Sequence, residues 1–373
     1  MLKNIYLAIL IIPFILNVTD YILRNYRFHF SSIGDAPMVK MSDVAEKANV
    51  SKATVSRVLR NPETVKKATR DKVLAIIEQL NYQPNILARH FRRSETNTIL
   101  VVIPNIMNTV FSHILGGIEH EAGKHGYRVL LANTNKQVEK EYEYLDHLRQ
   151  RQADGMILLS ARMDKGVLSE VMKQFPVVLT ADYLEGIPIP TVTIDNVSSG
   201  RTATEHLIKL GHSRIAHITG PLHLLVSQDR LKGYRQALLQ NNLEVDNILI
   251  QEGDFSHESG YNQMTKLLAL EHPPTAVFSA NDEMATGIIK AAKDHGLSVP
   301  EDLAVVGFDN VKLSAIYDPG ITTIAQPMFE MGNKAMELLL QQINGDETSK
   351  KQYVLQNELV IRESCGAKRK NNG

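Results

Sequence analysis

From Ile99 onward the chain repeats one pattern, a short and nearly unbroken apolar run followed by an amphipathic stretch. The runs are ILVVIP, RVLLANT, GMILLS, PVVLTAD, IAHITG, ILIQEGD, TAVFSAN and LAVVGFD, with stretches such as EKEYEYLDHLRQRQ and QDRLKGYRQALLQNN between them. An apolar run without alternation suits a strand covered on both faces, and strands joined through helices pair in parallel. The expected fold is therefore α/β, built from βαβ units around parallel sheets. About 275 residues exceed what one such sheet needs, so two similar lobes are expected. Ligands of open α/β sheets sit beyond the carboxyl ends of the strands, which directs attention to Asn105, Ser160, Asn281 and Asp309. A cleft between two lobes would let those ends face one another.

Ahead of this body lies a module of different charge. Residues 38–97 carry 12 Lys and Arg against 6 Asp and Glu, and residues 98–373 carry 26 against 33, although the whole chain is neutral. A basic module on an acidic body points to a polyanionic partner for the module. Its most informative stretch is VSKATVSRVL, Val50 to Leu59. Val55, Val58 and Leu59 fall on one stripe of a helix, which leaves Lys52, Ala53, Ser56 and Arg57 on a face free of packing. Ser42 is placed to cap a preceding helix whose first turn holds Asp43 and Glu46, which would bury Val44 and Ala48 and stop at Asn49. Ser51 is placed to cap the quoted helix. A third helix is expected from near Thr69, with Val73, Ile76, Ile77 and Leu80 inward.

Three short helices with a tight turn between the first two make a helix-turn-helix, whose second helix can enter the major groove of double-stranded DNA. Arg57 suits a bidentate contact to guanine, Lys52 a base acceptor or a phosphate, Ala53 a thymine methyl, and Ser56 several partners. The plain alternative for such a face is solvation alone.

Nothing comparable points to catalysis. In HEAGKH the histidines His120 and His125 are five apart, about 140° around a helix, whereas the zinc motif HExxH needs four. No GxSxG, P-loop or post-strand GxGxxG occurs, and the 13 histidines show no ligand spacing. No catalytic residue, metal ligand or cofactor is therefore expected. Cys365 is the single cysteine, which excludes an internal disulfide and is compatible with a reducing, cytoplasmic setting.

The run MSDVAEKANVSKATVSRVLRNPETV, continued by TRDKVLAIIEQLNYQPNILAR, resembles the DNA-binding head of the lactose/galactose-repressor family, with DVA, VS, TVSR and YxPN at the family's spacing. The resemblance continues through RLKGY, EGDF, NDEMATG, VPEDLAVVGFDN and TTIAQP and covers Met38 to Glu363. ELVIRES and GDF bring it nearest the cytidine-repressor subgroup. It implies a homodimeric transcription regulator bound to an approximately palindromic operator. The core would be like periplasmic sugar-binding proteins, with a small effector in the interlobe cleft and a hinge leading to the head.

Carried over by motif, Ser51, Lys52, Ala53, Ser56 and Arg57 fall on the base-reading helix, Met41 and Ser42 start the first helix near the DNA backbone, and Thr69 opens the third. In the hinge NYQPNILARHFRRS, Pro84 suits the start of a helix over 85–92, with Asn85, Ala88 and Phe91 assigned to DNA. Phe91 stands where the family commonly carries a leucine that wedges into the minor groove; a contact between hinge helices of a dimer is the alternative. Phe111, Arg230, Phe255, Asn281 and Asp309 fall on effector-pocket positions, to which the strand ends add Ser160. The two aromatics could instead be ordinary core residues, and Arg230 could simply pair with Asp309.

Some positions depart from the family's pattern. Asn-Pro-Phe-Phe after the first core strand is here Asn108, Thr109, Val110, Phe111. At the end of the fourth core strand, where many sugar responders carry Asp or Asn, stands Ala181, with Asp182 one place late. Leu224 and Val226 replace the arginine and threonine by which the purine repressor holds its base, which argues against a purine corepressor and favours a nucleoside or a sugar.

Residues 1–37 fall outside the resemblance. The apolar stretch Ile5 to Val18 is about fourteen residues, broken by Pro13, where a membrane span needs about twenty, and no signal-peptide cleavage pattern follows. The rival reading, an extracytoplasmic or membrane-anchored solute-binding protein, would use the core but leave the basic head without a partner. We expect no stable membrane association, and a working start at Met38 or DNA binding that does not need residues 1–37. The expected division is 1–37 an extension, 38–83 the helix-turn-helix, 84–97 hinge helix and linker, 98–364 the two-lobed, dimerising core, and 365–373 a polar tail.

Overall fold

The computed structural model describes residues 39–82, 96–346 and 352–367, which belong to two compact units, Met1–Arg93 and Ser94–Gly373. The stretch Ile5 to Val18, Met38, and the hinge residues Asn85, Ala88 and Phe91 lie outside the described residues.

In the first unit, helices α1 (Met41–Ala48), α2 (Lys52–Arg60) and α3 (Lys67–Gln79) enclose a core of Val44, Ala48, Val55, Val58, Val73 and Tyr82. Asn49, at φ 52, takes the left-handed conformation that ends α1 and turns the chain toward α2. Ser51 caps α2 by accepting from the Thr54 amide at 3.1 Å. Two expected helix starts shift. Ser42 does not cap α1, because Asp43 reaches back to accept from the Lys40 amide at 2.8 Å and the helix already runs from Met41. Ser42 instead lies in the first turn and donates its hydroxyl to Asp43 at 3.1 Å. Nor does Thr69 open α3, since its amide and that of Arg70 both bond the Lys66 carbonyl, which puts Thr69 inside the first turn.

The second unit has two lobes. β1 (Thr98–Ile103), α4 (Thr109–Lys124), β2 (Arg128–Asn133), α5 (Val138–Arg149), β3 (Gly155–Leu158), α6 (Lys165–Met172), β4 (Val177–Thr180) and β5 (Thr191–Ile194) begin the first. The second follows with α7 (Asn196–Lys209), β6 (Ile215–Thr219), α8 (Leu225–Gln240), β7 (Ile250–Glu252), α9 (His257–Leu268) and β8 (Ala276–Ser279). It continues through α10 (Asp282–Asp294), β9 (Ala304–Asp309), α11 (Lys312–Ile316) and β10 (Thr322–Ala325). The chain then returns to the first lobe as α12 (Met328–Ile343) and β11 (Gln352–Leu355), and adds β12 (Glu358–Val360) to the second. It thus crosses between lobes three times, after β5, after β10 and after β11.

Both sheets wind alike, in the orders β11-β5-β4-β3-β1-β2 and β12-β10-β9-β8-β6-β7. All eight apolar runs contribute strands, and every pairing is parallel except that of β10 with β12. The chain enters the first lobe anchored by Asp154, whose carboxylate accepts from the Thr96 and Asn97 amides at 2.7 Å each. Residues 365–367 are not part of a polar tail. The Ser364 hydroxyl joins the Val305 carbonyl and the Thr322 amide, which draws Cys365 and Ala367 into buried positions against the second lobe.

Paired glycines set how closely the helices cross. A Cβ on Gly200 of α7 would stand 2.3 Å from the Arg230 carbonyl oxygen, and one on Gly233 of α8 would stand 2.1 Å from that of Val197. No side chain fits at either point, and this close approach brings Arg230 to the start of α7.

Candidate functional site

On the head, burial of Val55 and Val58 turns Lys52, Ala53 and Arg57 outward, with Ser56 half-buried beside them. They line a concave surface together with Lys40, Met41, Ser42, Arg60 and Asn61. Four cations and no acid line it, an arrangement that attracts a polyanion. Arg60 stands three residues after Arg57, a helical spacing that sequence reading passed over; Lys40 and Asn61 gave no such signal. Ser51 lies at the helix cap, and Thr69, half-buried, is not among the lining residues.

In the body, strand ends from both lobes line a cleft of about 240 Å³. Phe111, Ser160, Arg230, Phe255, Asn281 and Asp309 all reach it, as do Asn105, Leu224 and Val226. Phe111 and Phe255 also pack against the cores of their lobes, so lining the cleft and filling the core are one placement here, not two.

Arg230 is 6% exposed. Its Nε donates to Asn196 Oδ1 at 3.0 Å, its Nη1 to the Ala280 carbonyl, and its guanidinium lies 3.5 Å from the centre of the Phe308 ring. No ion pair joins it to Asp309 among the described residues. Asp309 instead accepts from Gln326 Nε2 at 2.6 Å, and its backbone sits at φ 107, outside the region a side chain favours. Burial pushes the Asp309 carboxyl up to about 6 and the Arg230 guanidinium down to about 10, although each charge favours the other. The cleft therefore holds a desolvated cation, with donors beyond the two in use, near a desolvated carboxyl.

Asn281 is tied at both of its polar atoms and keeps one amide hydrogen and one lone pair. Its Oδ1 caps α10 by accepting from the Met284 amide at 2.9 Å, and its Nδ2 donates to the Phe255 carbonyl at 3.0 Å. It thereby holds Phe255, at φ 72, where the ring packs over Gly220. Ser160 is likewise engaged, donating to Asp182 Oδ2 at 3.0 Å.

Asp182 is the residue that sequence reading left aside. Ala181 at φ 68 bends the chain after β4, and the buried Asp182 carboxyl, one place late in the sequence, reaches the cleft. Burial holds it above the usual carboxylate range. Gln326, inside TTIAQP, and Asp254, inside EGDF, also line the cleft; both lay within motifs already noted without being singled out. Among the described residues no group of three His, Cys, Asp or Glu could hold a metal ion.

Comparisons with known proteins agree with both halves of this picture. Residues 40–85 match the family model for bacterial regulatory proteins of the lacI family, and residues 204–365 match that of a periplasmic binding protein-like domain. The chain is 42% identical over 328 residues to the HTH-type transcriptional repressor CytR of Escherichia coli strain K12, covering 88% of this chain and 96% of that protein. It is 38% identical over 328 residues to catabolite control protein A of Priestia megaterium, covering 87% and 99%. Among solved structures, the lac repressor dimer bound to operator and the anti-inducer ONPF matches with a TM-score of 0.81 at 31% identity, over 88% of this chain and 99% of that one. A complex of the transcriptional regulator CelR with cellobiose matches with a TM-score of 0.68 at 32% identity, over 87% and 99%. Similarity of this extent spans the reading face, the cleft and everything described between them, so the chain is a DNA-binding transcriptional regulator and belongs to the lacI family of bacterial regulatory proteins.

Proposed function

We propose that this regulator represses transcription as a homodimer on an approximately palindromic operator, and that a nucleoside or a sugar bound in the interlobe cleft controls its operator affinity. On the head, Met41, Ser42, Ser51, Lys52, Ala53, Ser56 and Arg57 would meet DNA, with Arg57 the main reader of base identity. The hinge assignments of Asn85, Ala88 and Phe91 stand as part of the same proposal. Among the described residues no helix is long and apolar enough to cross a membrane. We place the protein with its DNA in the cytoplasm.

The observation that carries the effector reading is Arg230, a buried cation on the cleft wall that makes no ion-pair contact among the described residues. Hydroxyls of a ribose or a sugar can accept from its spare donors and donate to Asp309 and Asp182. Phe111 and Phe255 suit the face of a base or of a sugar ring, and Leu224 and Val226 offer nothing to the polar edge of a purine. Asn281 and Ser160 would act indirectly, by fixing Phe255 and Asp182.

The test uses the full chain and a duplex that it selects from random DNA. Ribonucleosides and free sugars are titrated into that complex. One of them should change operator affinity by roughly 5- to 150-fold, the usual range for coupled sites. A panel in which every compound leaves affinity unchanged would end the effector reading.

A further inference from the structure

Tyr183 follows β4 in the first lobe, and Asp229 stands on α8 in the second. The Tyr183 hydroxyl donates to Asp229 Oδ2 at 2.9 Å, so a side-chain hydrogen bond joins the lobes in addition to the three chain crossovers. Both residues are half-buried, and neither lines the cleft. Their chain neighbours do. Asp182 and Arg230, each one residue away, are both on the cleft wall, and Asp182 Oδ1 also accepts from the Tyr183 amide at 2.9 Å.

The acceptor is held in a tense setting. Burial and the nearby Asp195 and Glu185 work against the charge on Asp229, while Tyr183 and Lys232 favour it. A phenol donating to a carboxylate makes a stronger bond than a neutral pair, and a displacement of an ångström or so is enough to break it. A lobe rearrangement that moved Tyr183 and Asp229 apart by that much would break it.

We propose that the Tyr183–Asp229 hydrogen bond is a latch between the lobes, which sets the resting arrangement of the ligand-free protein and is the link through which an effector on Asp182 and Arg230 moves that arrangement. This rests on the reading that lobe arrangement governs operator affinity. A ligand shifts a two-state equilibrium only through contacts that differ between the states, and the latch supplies such a contact one residue from each ligand-facing side chain.

The test is a double-mutant cycle on the full chain without ligand, read as affinity for the duplex the wild-type chain selects. Tyr183→Phe and Asp229→Ala should each change affinity threefold or more in the same direction, and the double variant should go no further than either single. Asp229→Asn, which keeps an acceptor for the phenol, should stay within about twofold of wild type. Hydrogen exchange on Tyr183→Phe provides a readout independent of DNA: residues 181–186 and 225–232 should both exchange faster. Effects that multiply in the double variant, Tyr183→Phe binding like wild type, or faster exchange confined to 181–186 would each overturn the latch. If the wild-type chain selects no duplex, the regulatory reading fails, and the exchange measurement still decides whether the two residues join the lobes.

Discussion

Arg57 and Arg230 are the same side chain in opposite circumstances. Arg57 is exposed on α2, and its side chain makes no hydrogen bond or ion pair among the described residues. Arg230 is buried on α8, bonded to Asn196 and Ala280, and stacked on Phe308. On the proposed reading, Arg57 keeps its donors in water until phosphates and bases displace that water. In the cleft, folding itself has already removed the water, and burial lowers the guanidinium to about 10. If the proposed roles hold, Arg57 can be replaced at the cost of binding alone, whereas Arg230 would support fold and ligand together.

The largest effect should come from Arg230→Ala. It removes two charge-assisted bonds and leaves Asn196 Oδ1 and the Ala280 carbonyl short of a donor, which should destabilise the second unit by about 3 kcal/mol or more in urea unfolding. A loss under about 1 kcal/mol would break the comparison, because Arg230 would then be no more committed than Arg57.

Asp309 sharpens the same contrast through pH. Its carboxyl titrates near 6 in the folded chain against an ordinary value of 3.8, so between those limits the folded chain keeps a proton that the unfolded chain has lost. Stability from this group is therefore fully present below the lower value and falls as pH rises toward 6. Asp309→Asn should flatten that fall by up to about 3 kcal/mol; Asp182 and Asp282, raised in the same direction, leave some slope behind. In the wild type, the effector response should strengthen as pH rises through 6, since the ionised carboxylate is the better acceptor for a hydroxyl. A response that is level across pH 5 to 7 would remove Asp309 from the ligand's contacts.

Arg57→Ala should cost about 1–3 kcal/mol in operator affinity and relax selectivity at one position of each half-site. Its unfolding free energy should stay within about 0.5 kcal/mol of wild type. Equal losses on selected and random duplexes would reduce Arg57 to a phosphate contact. Smallest of all, Ser51→Ala should remove the bond to the Thr54 amide and cost the head about 1 kcal/mol, seen as faster hydrogen exchange in α2 with the body unaffected.

What the sequence determined by itself is local. Strands covered on both faces must be continuously apolar, which made six of the eight runs legible as strands; β2 and β7, at the sheet edges and partly exposed, were legible from apolar content alone. β5 was not, since TVTI buries Thr191 and Thr193 and reads as half-polar. The face of α2 was equally legible, because helical period alone decides that Val55 turns inward and Arg57 outward. Even there Ser42 misled, because capping depended on whether Asp43 could reach the Lys40 amide. Strand ends and motif resemblance brought six residues to the cleft, but not their commitments. That Arg230 binds Asn196 and Ala280 in place of Asp309, that Asn281 holds the Phe255 carbonyl, and that Tyr183 meets Asp229 were decided by tertiary structure alone. These partners lie 34, 50, 26 and 46 positions apart in the chain. Their meeting depends on the turn at Ala181, the glycine crossing of α7 with α8 and the placement of two lobes, and period along the chain records which face a residue takes, never what that face will meet.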